Sequence, residues 1–189
     1  MNRRSRISEQ VFPGLCADGY AKHSRACRSY NCVAFAAGDF DKRWDGWGDP
    51  PDGYWPTQHT GGLIEHLVSA YRTQRFEECA GPEPEPGYEK VALYFQESSR
   101  KWTHAARLRE DGWWESKLGE REDIVHRMPQ ALIGALYGQI ALYMKRRPAD
   151  RLRFHLVRWL TKKRRQTTNE QARLDLDKTI KRFAPDTEK

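Results

Sequence analysis

Thr103-His104-Ala105-Ala106-Arg107-Leu108-Arg109-Glu110-Asp111-Gly112-Trp113-Trp114-Glu115-Ser116-Lys117 reads as an antiparallel hairpin. Residues 103–108 and 113–117 carry strand-forming side chains, and Arg109-Glu110-Asp111-Gly112 joins them. Asp-Gly at a turn supplies the positive-φ position that a tight hairpin requires. Working outward, Val91-Ala92-Leu93-Tyr94-Phe95 centres a strand over 88–96, and 138–145 reads as a last apolar strand. Residues 123–126 form a short ordered segment, and 81–87, where three prolines alternate with glutamates, is a surface connection.

Upstream of these strands the pattern is helical. Asn31 can cap a helix that opens Cys32-Val33-Ala34-Phe35-Ala36-Ala37 and closes at Gly38, where a left-handed residue ends helices. The helix is apolar on every side, which predicts burial at the centre of the domain. A second helix is expected over 62–75, with Leu63, Leu67, Ala70 and Tyr71 on one face. Residues 39–60, rich in Trp, Asp, Gly and Pro, form an aromatic loop that packs on itself or walls a cleft. Helices first and an antiparallel sheet afterwards predict an α+β fold. The expected layout is a disordered basic arm over 1–10, a domain over 11–147 and a basic helical tail over 148–189.

At 189 residues, 38% hydrophobic and with seven Trp, the chain can fill one ordinary core and carry an appendage. Residues 1–10 are basic and polar without the apolar stretch of a secretory signal, so a cytoplasmic location is expected, export by a dedicated secretion system aside. The longest nearly apolar segment, 131–144, is shorter than the roughly 20 residues needed to span a bilayer. Net charge is +7, and from Pro148 onward twelve Lys and Arg face six Asp and Glu. The basic character therefore belongs to the tail and not to the whole chain. Cysteines stand at 16, 27, 32 and 79 without a C-x-x-C pair or zinc-finger histidines, so neither a metal nor a cofactor is implied.

One constellation points to thiol chemistry. A cysteine in the first turn of a helix meets unpaired backbone N–H groups that favour its thiolate, which is the position of Cys32. A thiolate needs a base, and His104 opens a hairpin strand that can face a central helix. The imidazole needs a polar residue to orient it. Ser116 across the hairpin is the first candidate, with Asp123, Lys117 and His126 as substitutes. The backbone N–H of Cys32 and a donor from Tyr30 or Asn31 would form an oxyanion hole, and Trp55 lies in the loop that could floor the cleft.

Tyr30-Asn31-Cys32-Val33-Ala34-Phe35-Ala36-Ala37-Gly38-Asp39, Tyr54-Trp55-Pro56, Glu85-Pro86-Gly87-Tyr88-Glu89-Lys90-Val91-Ala92-Leu93-Tyr94, Thr103-His104-Ala105-Ala106 and Ser116-Lys117-Leu118-Gly119 together resemble an uncharacterised bacterial family of unknown function, over about residues 11–147. More distantly, the order of cysteine helix, histidine strand and hairpin partner resembles that of NlpC-type cysteine peptidases. That resemblance implies a papain-like core with a central nucleophile helix packed on an antiparallel sheet. In those peptidases a histidine commonly follows the base by about one hairpin, where this chain has Ser116. Their Asp-Cys-Ser-Gly motif is also replaced, by Asn31-Cys32-Val33-Ala34.

Two function classes follow, with a third that specialises the first. The first is a cysteine hydrolase, or a related acyltransferase, attacking a peptide, amide or thioester carbonyl through Cys32 and His104. The second is a non-enzymatic binding module whose basic tail docks nucleic acid, an anionic surface or a partner protein. Residues 145–165 hold ten Lys and Arg against one acid, with Arg158, Lys162, Lys163, Arg164 and Arg165 as the candidate contacts. The third is a toxin or immune effector acting as a protease or deamidase.

Overall fold

In the computed structural model, residues 10–47 and 54–183 are described. Residues 1–9 of the arm expected over 1–10 and the loop centre at 48–53 lie outside them. The chain divides into two units, Met1–Arg146 and Arg147–Lys189.

The hairpin forms as its sequence predicts. Strand β4, Lys101–Leu108, turns at Gly112, whose φ is 83°, into β5, Trp114–Lys117. The Arg109 N–H donates to the Trp113 carbonyl at 2.8 Å and closes the turn. Around this hairpin lie β3, Glu89–Gln96, then β6, Asp123–His126, and β7, Gln139–Arg146. Two three-residue strands that carry no sequence periodicity, β1, Tyr20–Lys22, and β2, Glu77–Cys79, pair at the outer edges. The seven strands run β1-β6-β5-β4-β3-β7-β2, every pair antiparallel. Their shortness and the charges of Lys22, Glu77 and Glu78 limit edge-to-edge association.

The fold class expected from the sequence is overturned. The domain is a mostly β, open antiparallel sheet with a few helices, and not a papain-like core. Besides a one-turn helix α1, Gly14–Asp18, the expected nucleophile helix is only the six-residue α2, Cys32–Ala37. It flanks the sheet together with the longer α3, Ile64–Thr73. An apolar run of six residues cannot show whether it is the axis of a domain or a short cover on one sheet face, and here it is the cover.

Strand alternation sends side chains to both faces, and both faces are buried. On one face Val91, Leu93, Ala105 and Met144 meet α2, α3 and the aromatic residues Trp44, Trp55, Tyr71 and Trp102. On the other, Ala92, Tyr94, Ala106, Trp114 and Ile124 meet Phe12, Leu15, Leu132 and Tyr137. A 3₁₀ turn, Pro129–Leu132, lies on this second side. Gly138, at φ 72°, begins the return into β7. A Cβ there would lie 2.1 Å from the Phe95 carbonyl oxygen, so the close approach of the two backbones admits only glycine.

The second unit consists of α4, Pro148–Gln166, and α5, Glu170–Phe183. Pro148 occupies the first helical position, where no N–H is missed, and Asn169 Oδ1 accepts the Ala172 N–H at 2.9 Å at the start of α5. Leu160 is buried, and the Arg164 guanidinium makes a two-point ion pair with Asp177, its Nη2 3.0 Å from Oδ2. The pair ties α4 to α5.

Candidate functional site

Asn31 caps α2 as its position predicts, Oδ1 accepting the Ala34 N–H at 3.2 Å. The same oxygen accepts the Trp44 N–H at 3.2 Å, while Nδ2 donates to the Trp44 carbonyl at 2.6 Å. Its amide therefore pins the aromatic loop to the helix start. Trp44 itself is fully buried. Trp55 stacks on Trp102 at 5.8 Å between ring centroids and donates its indole N–H to the His59 carbonyl at 3.0 Å. Trp44 and Trp55 thus belong to a cover layer of the core.

Cys32 is half-buried and packs against the same layer. Burial pushes its thiol upward, an effect that the nearby Ala105 backbone offsets in part. His104 is paired in register with Tyr94, so its side chain belongs to the opposite layer. Its ring lies 4.1 Å from the Tyr137 ring, nearly parallel at 5°, and meets Tyr94 edge-on. Neither ring nitrogen has a hydrogen-bond partner. Burial, and secondarily the charge of His126, lowers its pKa to about 3. The neighbouring residues support the assignment of faces, because Arg107 lies over the Phe35 ring of α2 at 4.2 Å and Ala106 sits with Tyr94 and Ile124. The structure therefore sets Cys32 and His104 on opposite faces of β4 and does not bring them together.

Ser116 shares a face with His104 but bonds His126, Oγ to Nε2 at 2.9 Å. His126 Nδ1 lies 2.8 Å from the Met128 carbonyl. A carbonyl can only accept, so Nδ1 carries the proton and Nε2 accepts from the serine hydroxyl. Both residues are fully buried, and the pair satisfies polar groups in the core away from solvent.

Asp123 lies on the α2 side, in a network of which the sequence singles out only Tyr30, Lys117 and Asp123 itself. Its Oδ2 accepts from Ser24 Oγ at 2.6 Å and Tyr30 Oη at 3.1 Å, and its Oδ1 lies 3.3 Å from Lys117 Nζ. Lys117, wholly buried, also donates to the Arg121 carbonyl at 2.6 Å. Beside it Glu115 takes Arg107 Nη2 at 2.7 Å and lies 3.2 Å from His23 Nε2. Desolvation, then the Asp123 charge, pushes Tyr30 up to about 12, so its hydroxyl remains a donor. These residues clip the segment 23–30 onto β5 and β6. Their one signal in the sequence is the strand Trp114-Glu115-Ser116-Lys117, whose charges would ordinarily face water. Cys27 is the cysteine whose thiol is held below its ordinary value, chiefly by the Ser29 backbone N–H 3.5 Å from Sγ. Among the described residues no group of three or more His, Cys, Asp or Glu could hold a metal ion.

In the second unit the candidate contacts separate. Arg164 is occupied by Asp177, while Lys162, Lys163 and Arg165 are exposed near the C-terminal end of α4. The side chain of Arg158 lies outside the described residues. Leu152, Leu156 and Trp159 are exposed, and Lys163 Nζ stands 5.7 Å from the Trp159 ring centroid. No helix among the described residues is long and apolar enough to cross a membrane.

Fold and geometry define a mostly β domain on an open seven-stranded antiparallel sheet, its polar clusters used to hold its own layers together. The chain belongs to the DUF7689 family, a domain of unknown function, whose model matches residues 21–145. That span covers the segments Tyr30-Asn31-Cys32 through Ser116-Lys117-Leu118-Gly119 on which the family resemblance rests. No curated protein matches the chain, and no solved structure does. The likeness to NlpC-type peptidases has no support among these comparisons.

Proposed function

We infer that the protein is a non-enzymatic docking module in which the β domain is scaffold and the basic helical unit is the contact surface for an anionic partner. The single observation that carries this reading is the charge layout of α4. Its last turn is basic, with Lys163, Arg164 and Arg165, and its exposed residues Lys162, Lys163 and Arg165 project from a helix held to α5 by the Arg164–Asp177 pair. Cations at a helix C-terminus are also favoured by its dipole, so the charge is stable where it is placed.

The hydrolase reading needs a thiolate and a base in contact. Cys32, with its thiol pushed up by burial, and His104, neutral and without a hydrogen bond, supply neither. The test of docking is retention of the full chain on immobilised heparin at low and high salt. Lys162→Glu/Lys163→Glu/Arg165→Glu should elute at clearly lower salt than the parent, and Cys32→Ala should elute with the parent. Equal retention of parent and triple variant, or loss of retention in Cys32→Ala, would sink the reading.

A further inference from the structure

We propose that the anionic partner is a lipid bilayer, and that α4 lies in its headgroup plane with Leu152, Leu156 and Trp159 inserted. This rests on the docking reading above and adds the chemistry of the partner. At about 100° per residue, positions 152, 156 and 159 fall within about 60° of one another, a single narrow stripe. Exposure falls across the stripe, from 71% at Leu152 and 54% at Trp159 to 38% at Leu156, and Leu160, about 40° beyond Leu156, is buried. The helix therefore has an inner side, with Leu160 and with Arg164 tied to Asp177, and adjoining it an apolar stripe that is exposed.

Charge complementarity selects the occupant. Lys163 sits at the end of the stripe over Trp159, and Lys162 is exposed on the adjoining turn. A helix with Leu and Trp along one stripe and Lys and Arg beside it matches an anionic membrane interface, where the apolar side chains enter the acyl boundary and the ammonium groups reach phosphates. Tryptophan suits that depth because its ring is apolar and its N–H can meet the headgroups. Nucleic acid explains the charge but not the stripe. Phosphate contacts call for cations alone and would leave Leu152 and Leu156 in water. Pro148–Gln166 is too polar to span a bilayer, so the helix lies along the surface.

The test is co-sedimentation of the full chain with vesicles of phosphatidylcholine alone and of phosphatidylcholine mixed with phosphatidylglycerol. Binding to duplex and single-stranded DNA is measured in parallel at the same low salt. The expected result is binding to the anionic vesicles only. Leu152→Ser/Leu156→Ser/Trp159→Ser should bind those vesicles about tenfold or more weakly, since partial burial of three large apolar groups is removed while every Lys and Arg is kept. These residues are exposed, and circular dichroism verifies that the helix content is unchanged.

DNA binding without vesicle binding overturns the lipid proposal and leaves docking standing. Binding to neither overturns both. Vesicle binding that survives the apolar substitutions but is lost in Lys162→Glu/Lys163→Glu/Arg165→Glu overturns insertion. A concentration-dependent dimer that the apolar substitutions abolish assigns the stripe to a second copy of the chain and overturns the proposal as well.

Discussion

His104→Phe is the substitution whose consequence the structure states most sharply. The histidine is wholly buried, stacks on Tyr137, touches Tyr94 edge-on and has no hydrogen bond at either nitrogen. A phenyl ring can keep the stack and removes two orphaned polar atoms. At neutral pH that gain opposes an overpacking cost of about 1–3 kcal/mol, so the net change should be small. The difference appears in acid. The ring's folded value is about 3 against an ordinary value of 6.5, so between those limits the unfolded chain binds the extra proton. For a base with a lowered folded value, stability is complete above the unfolded value and is lost as pH falls toward the folded one. From pH 7 to about pH 4.5 the wild type should lose about 2.5 kcal/mol through this residue, at about 1.4 kcal/mol per unit below 6.5.

His126, whose pKa burial also lowers, contributes in the same direction in both proteins, and its coupling to His104 is secondary to burial. Urea unfolding at several pH values, fitted for the difference between wild type and His104→Phe, measures the loss. Curves that stay parallel from pH 7 to about pH 4.5 would show that His104 is not held neutral by burial, as would an imidazole resonance of His104 titrating near its ordinary value.

Two further outcomes follow from backbone and thiol geometry. Gly138→Ala should lower stability by about 3 kcal/mol or more, adding left-handed strain to a clash with the Phe95 carbonyl, while Gly112→Ala, also at positive φ but with nothing within 4 Å, should cost only about 1–2 kcal/mol. Urea midpoints compare them, and equal losses would show that the close approach at Gly138 is unimportant. Cys27 should alkylate well before Cys32 at mildly alkaline pH, by peptide mass spectrometry, because its thiol is held low while that of Cys32 is pushed up. Rapid modification of Cys32 below pH 7, slowed by His104→Ala, would restore the thiol–imidazole pair.

What was legible in the sequence is what local chemistry decides. Asp111-Gly112 placed the hairpin turn, Asn31 and Gly38 bounded the short helix, and the apolar run through Val91 and Tyr94 marked β3. The edge strands at Tyr20–Lys22 and Glu77–Cys79 were not legible, because three residues carry no period and pairing with β6 and β7 makes them strands. The buried ions at Glu115, Lys117 and Asp123 were hidden for a related reason. Charges on a strand normally mark its solvent face, and only the segment bearing His23, Ser24 and Tyr30, nearly a hundred residues away in the chain, makes their burial tolerable.

The separation of Cys32 from His104 has a more exact cause. An order of helix, then histidine strand, specifies which elements exist but not which face of the strand the helix covers. A one-residue change of register exchanges every side chain between faces, so the choice is binary. In a one-sided sheet polar residues would mark the wet face and decide it. Here Trp102 and Ala105 are buried on one side and Ala106 and Trp114 on the other, so no residue from 102 to 114 reports which side holds the helix. Arg107 stacked over Phe35 is the contact that decides it, and that contact joins residues 72 positions apart. Once it places Arg107 and Ala105 toward α2, His104 must face Tyr137. Strand geometry alone then sets Cys32 and His104 on opposite faces of β4.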